Sequence, residues 1–140
     1  CSMDLSGCRA CDGCKRNDGH CVCPDDSDLV IQKIIHADAV IFGTPVYWWG
    51  MSAQLKMVVD KFYSQDDQFK TMRKKIGVLA IGANTLDNPQ YRLIHEQFSC
   101  IAEYLGWELS FSLSFSAYGP GEVCADKNLD TSIQEAIANL

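Results

Sequence analysis

The sequence predicts a three-layer α/β/α fold built on a parallel sheet, and three observations carry that expectation. Two short, continuous apolar runs, Ala39–Phe42 and Ile76–Ile81, have the composition of strands buried on both faces. Segments with helical spacing alternate with them, in the order helix, strand, helix, strand, helix, strand, helix. Such an order implies parallel crossovers with helices on both sides of the sheet. The composition, 47% apolar and 21% charged over 140 residues, is that of a chain able to bury a core.

Residues 1–24 form a loop rich in Cys and Gly. Asp25, Asp26, Ser27 and Asp28 then supply cap candidates and acidic first-turn residues, which suit the positive end of a helix. Leu29, Ile31, Ile34 and Ile35 continue that helix to about residue 36. After the strand from Ala39 to Phe42, Gly43 and Pro45 mark a loop, and Ser52 is placed to cap a helix running to about Tyr63. Its apolar face is Leu55, Val58, Val59 and Phe62. The cluster Lys70, Arg73, Lys74 and Lys75 reads as a solvated turn before the second strand.

That strand ends in Gly82-Ala83-Asn84-Thr85. Asn88-Pro89 is a turn, and residues 90–105 form a helix closed by Gly106. Over 107–116, Trp107, Leu109, Phe111, Leu113 and Phe115 alternate with Glu108 and four serines, predicting a strand with one polar face. Tyr118-Gly119-Pro120-Gly121 is a loop, and residues 126–139 form a last helix with Leu129, Ile133 and Ile137 inward. No repeat or linker interrupts the chain, so residues 1–140 are expected to be one domain with a Cys-rich loop at 8–24.

Eighteen acidic against 12 basic residues give a net charge of −6, which argues against binding to nucleic-acid phosphates. No apolar run approaches the roughly 20 residues that span a bilayer, and no leader pattern is present. Five of the eight cysteines fall between Cys8 and Cys23. A secreted disulfide fold spreads its cysteines through the chain, so a cytoplasmic protein with one local thiol cluster is the expectation.

In parallel sheets, ligands bind beyond the carboxyl ends of the strands. The loops starting at Gly43 and Gly82 lie at that edge. Tyr47, Trp48 and Trp49 are three consecutive aromatics there. They either stack on a planar ligand, plug a gap against a neighbouring helix, or bury in a subunit contact. The spacing Cys8-x2-Cys11-x2-Cys14 can turn three thiolates toward one body, with Cys21 or Cys23 as a fourth donor. An iron–sulfur cluster, a zinc ion and free or redox-active thiols all remain open. Cys1, Cys100 and Cys124 are read as unrelated, Cys100 as a small core residue. No catalytic acid or base is assigned: His20, His36 and His95 read as ordinary loop and helix residues.

Gly43-Thr44-Pro45-Val46-Tyr47-Trp48, followed by Ser52-Ala53-Gln54-Leu55-Lys56 and Asp60-Lys61, resembles the corresponding segment of the NAD(P)H-dependent FMN reductases. Cys8, Cys11, Cys14 and Cys21 followed by Asp25-Asp26 resemble the compact cysteine motif of the iron–sulfur flavoprotein branch, and the likeness runs from about Cys8 to the end. The resemblance implies a flavodoxin-like sheet in the order 2-1-3-4-5. It implies FMN held by Thr44, Pro45, Val46, Tyr47, Trp48 and Trp49 with Gly82, Ala83 and Asn84. It further implies hydride transfer from NAD(P)H through flavin N5 to a flavin, quinone or similar small-molecule acceptor. The cysteine branch implies a [4Fe–4S] cluster beside the flavin on Cys8, Cys11, Cys14 and Cys21, with ferredoxin as the electron source. A homo-oligomer is also implied. The chain departs from the family at its front, where the first strand, phosphate loop, helix and second strand are lacking. A third reading, a non-catalytic thiol or metal-binding module, follows from that departure.

Overall fold

A computed structural model describes residues 2–140; Cys1, set apart from the thiol cluster above, lies outside them. After the cysteine loop come α1 (Ser27–His36), β1 (Ala39–Pro45), α2 (Ala53–Asp60), α3 (Asp66–Thr71), β2 (Lys75–Gly82), α4 (Pro89–Leu105), β3 (Glu108–Ser116) and α5 (Leu129–Ala138). The strands are parallel, in the order β1-β2-β3. β1 is longer than its apolar run suggests. Gly43, Thr44 and Pro45 continue the ladder opposite Leu79, Ala80 and Ile81, and proline is tolerated there because β1 lies at the sheet edge.

Alternation along each strand sorts the sheet into two faces. Phe42 and Thr44 share one face with Ile76, Val78 and Ala80. This face meets Ile31, Ile34, Val58, Phe98 and Leu105 from the helices, forming the main core. Phe42 lies against Phe98 with centroids 5.0 Å apart, and Phe69 stands edge-on to both Phe62 and Trp107. The opposite face is only partly covered. α5 lies over β3, where Phe115 and Ala136 are buried, whereas Ile41 and Ile81 are exposed. Among the described residues β1 thus forms one edge of the sheet, and the face carrying Ile41 and Ile81 is bare.

Several expectations are corrected. The five apolar residues of 107–116 do not share a face. Ile76 pairs with Leu109 but Gly77 pairs with Phe111, so Ser110 is bulged out. The extra residue turns Phe111, Leu113 and Phe115 to the α5 side, and Gly77 lets the Phe111 ring lie on the β2 backbone. The helix expected to reach Tyr63 ends at Asp60 and tightens into a 3-10 turn over Lys61–Gln65. Its three-residue repeat brings Lys61 and Ser64 to the same buried side. Cys100 is exposed, not core, because it sits about 200° around α4 from the buried Phe98. Ile137 is likewise exposed, and Ala136 takes the inward position on α5.

The basic cluster before β2 is not simply solvated. Lys74 is buried and its ammonium donates to the carbonyls of Ile35 (3.0 Å) and Ala37. These are orphan acceptors at the end of α1, where a cation is favoured. Burial holds the Lys74 pKa below its ordinary value. Lys74→Met is expected to cost about 1.5–3 kcal/mol, the range for hydrogen bonds to a charged group, measured as a lowered urea midpoint with unchanged slope.

Candidate functional site

The loop after β1 is a tight hairpin turn. Tyr47 N–H donates to the Gly50 carbonyl at 3.0 Å, and Gly50 N–H donates back to Tyr47 at 3.1 Å. Between them Trp48 and Trp49 have φ of +49° and +60°, the conformation of a type I′ turn, which favours Asn-Gly. Two bulky residues in the left-handed region are a costly choice. Their rings gain little cover in return, since Trp48 is 92% exposed and Tyr47 and Trp49 are also exposed. They do not plug a gap against a helix of this chain.

The turn is anchored from below. Thr44 is buried on the core face, and its Oγ1 accepts the Ser52 N–H at 2.9 Å. Ser52 in turn caps α2 by accepting the Leu55 N–H. Thr44 therefore holds the loop, whereas Pro45, Val46 and Tyr47 line a cavity of about 350 Å³ with Gly82, Ala83 and Tyr118. An adjoining cavity of about 300 Å³ is lined by Val46, Trp48, Trp49, Ala83, Asn84 and Gln90. The nine residues expected to hold a flavin thus sit around one edge, eight lining these cavities and Thr44 behind them.

Two contributors had been missed. The Tyr118-Gly119-Pro120 loop follows β3 and closes the first cavity; the carboxyl-edge rule applied to the third strand would have found it. Glu122 shapes that loop by accepting the N–H groups of Tyr118 (2.6 Å) and Gly119 (3.0 Å). Those N–H bonds, from Gly119 and Tyr118, lower its pKa. Gln90 gives no sequence signal, reading as an ordinary first-turn residue, yet it is buried beneath the second cavity. Tyr91 braces the same corner, its hydroxyl reaching the carbonyls of Gly82 (3.0 Å) and Asn84 (2.7 Å).

The cysteines gather around a cavity of their own. Cys8, Cys11, Cys14, Cys21 and Cys23 all line one small cavity of about 30 Å³, with Tyr63 at its wall. No residue lines both this cavity and the aromatic ones. Among the described residues, no three His, Cys, Asp or Glu side chains are grouped to hold a single metal ion. Burial raises the Cys21 pKa, opposed by the Cys23 N–H and the Lys61 charge. The Asp28 carboxylate holds the Cys21 N–H at 3.1 Å.

The loop is tied to the fold through Asp25. Its Oδ2 accepts from Ser6 N–H (3.0 Å), Ser6 Oγ (2.5 Å) and the Lys61 ammonium; its Oδ1 accepts from Ser27 N–H (2.9 Å) and Ser27 Oγ. Both charged side chains are almost wholly buried. Burial would push the Asp25 carboxyl up, but Lys61, Ser27 and Ser6 outweigh it and hold it far below the usual carboxylate range. Outer contacts add Tyr63 Oη to Asp12 at 3.0 Å and the pair Lys15–Asp66.

A parallel sheet with covering helices, and loops from all three strands converging on an aromatic-lined edge, defines a flavodoxin-like α/β protein. The chain is similar to the Trp repressor binding protein from Bacillus subtilis, with a TM-score of 0.66 and 26% identity over 82% of this chain and 72% of that one. An iron-sulfur flavoprotein of Methanocaldococcus jannaschii is 31% identical over 136 residues, covering 95% of this chain and 70% of the relative. A second iron-sulfur flavoprotein of that organism is 33% identical over 98 residues, 67% of this chain and 50% of the relative. The alignments therefore reach over about half to 70% of the curated relatives' own length. The family model for NADPH-dependent FMN reductases matches residues 3–100, and the chain belongs to that family.

No helix among the described residues is long and apolar enough to cross a membrane.

Proposed function

We propose that the protein is an FMN-dependent NAD(P)H oxidoreductase whose flavin ring lies in the two adjoining cavities at the sheet's carboxyl edge. The observation that carries this reading is the Trp48-Trp49 turn, strained in its backbone and open in its side chains. Strain held at one exposed point is a sign of function. The chain's own residues suit a planar group. Gly82 lets the Gln90 and Val46 side chains pack closely against the end of β2, since a Cβ there would lie 2.5 Å from Gln90 Nε2 and 3.0 Å from Val46 Cγ2. Bound flavin supplies the hydride and single-electron chemistry. Tyr47, Trp48 and Trp49 bind and shield the ring, Ala83 and Asn84 border it, and Tyr118 limits access for a nicotinamide or an acceptor. Thr44 and Ser52 keep the aromatic turn in place.

The whole gene product, purified without air, is expected to carry one FMN per chain and to oxidise NADPH or NADH with a quinone or free flavin as acceptor. Absence of flavin, together with no binding of added FMN, would refute this reading and favour a thiol module. A homo-oligomer is part of the proposal, because a neighbouring subunit can cover the exposed Trp48. A monomer by light scattering would remove that part.

A second cofactor at the thiol loop is part of the proposal, supported by the likeness to iron-sulfur flavoproteins. Cys8, Cys11, Cys14 and Cys21 would hold a [4Fe–4S] cluster, whose bulk spreads its ligands more widely than zinc does. Ferredoxin would then be a suitable electron donor. Iron and acid-labile sulfide near four atoms each per chain are expected; neither in anaerobic protein would leave free thiols.

A further inference from the structure

The most informative polar atom in the chain is one without a partner. Gln90 is the second residue of α4, and Asn88 caps that helix by accepting the Gln90 N–H at 3.2 Å. Its side chain is buried, the residue being 5% exposed. The amide oxygen is used, accepting from Asn84 Nδ2 at 3.1 Å. The amide nitrogen is buried with no hydrogen-bond partner. Gln90 also lines the cavity bounded by Trp48, Trp49 and Asn84.

Buried amide groups are nearly always satisfied, so an orphan donor beside a cavity marks a place where a ligand atom is missing. The donor is fixed in place, because Asn84 holds the other end of the amide. An amide N–H pairs with an acceptor and rejects another donor. The matching ligand group is therefore an acceptor on the rim of a planar ring, such as a carbonyl oxygen, and not a ring N–H.

We propose that Gln90 is a positioning residue of the flavin pocket, its side-chain amide donating to a ring carbonyl oxygen of FMN. This rests on the flavin reading above. It assigns Gln90 two opposite effects: it costs stability when the pocket holds no flavin and sets ring orientation when it does.

Gln90→Met is the test, with the whole gene product, because it keeps the length of the side chain and removes the amide. Asn84 is exposed, so water replaces the bond it loses. Three quantities are measured: FMN affinity by fluorescence quenching, the flavin carbonyl stretching bands by Raman or infrared spectroscopy, and the melting temperature of the apoprotein. The variant is expected to bind FMN about ten-fold more weakly, in line with the loss of one hydrogen bond. The carbonyl bands should move to higher frequency, and the apoprotein should melt no lower than wild type. Gln90→Glu, which offers an acceptor in place of a donor, should bind more weakly still at neutral pH. If the wild type binds FMN but neither affinity nor carbonyl bands change in Gln90→Met, the Gln90 assignment is wrong and the flavin reading survives. An apoprotein that melts well below wild type with unshifted bands makes Gln90 structural only. A wild type that binds no FMN overturns both.

Discussion

Asp25→Asn is expected to destabilise the chain by about 3–5 kcal/mol, the range seen when one partner of a buried ion pair is removed. The substitution leaves Lys61 charged, 3% exposed and without its counter-charge, which is why the loss exceeds that of an ordinary surface pair. Lys61→Met should cost less than Asp25→Asn, because the orphaned carboxylate keeps four hydrogen bonds from Ser6 and Ser27. The double variant should recover part of the loss, since a methionine–asparagine pair buries no charge. Urea unfolding of the four proteins gives the coupling directly. Additive single effects would show that the pair does not act as a unit.

The same pair shapes the acid limb of stability. The folded pKa of Asp25 is held far below its ordinary value of 3.8, so near that pH the unfolded chain binds the extra proton. Stability is therefore fully present above about pH 5 and falls as the pH drops through and below the unfolded value. Asp66, where burial is outweighed by Lys15, acts in the same direction. Asp25→Asn should flatten this acid limb. A variant with an acid limb as steep as wild type would place the titration elsewhere. Because Asp25 also ties Ser6 to α1, the substitution should speed reaction of Cys21 and Cys23 with a thiol reagent before any global unfolding.

How far the sequence could reach is clear from these residues. The helices and strands were legible because their apolar spacing is local, and the aromatic turn stood out as three large rings after a strand end. The Ser110 bulge was invisible, since a period-two pattern looks the same whether or not the partner strand slips by one residue. Lys74 reads as part of a solvated turn and nothing local marks Lys61 as buried, because their partners are supplied by segments 36 to 39 residues away. The five cysteines were legible as a cluster, and the fold brings all of them to one cavity. What that cavity holds was not legible, since the expectation of a cluster beside the flavin came from resemblance and not from spacing. Gln90 could not be found at all, because an unmet donor is a property of its surroundings.

The second large effect concerns the turn itself. Replacing Trp48 by Asn and Trp49 by Gly installs the pair that a type I′ turn prefers. Each bulky residue in the left-handed region costs about 1–2 kcal/mol, and the rings contribute little burial in compensation. The double variant is therefore expected to be more stable than wild type by about 1–2 kcal/mol in urea, allowing for the extra entropy of glycine in the unfolded chain. Its affinity for FMN should fall on the order of 10- to 100-fold, since two aromatic contacts of about 0.5–1.5 kcal/mol each are lost. Stability and binding moving in opposite directions is the behaviour of strain kept for function. If the variant were less stable, the tryptophans would be packing elements, for instance in a contact between copies of the chain. If FMN affinity held, the ring would have to lie on the Tyr118 side of the edge, and the aromatic turn would then be left to serve a partner surface.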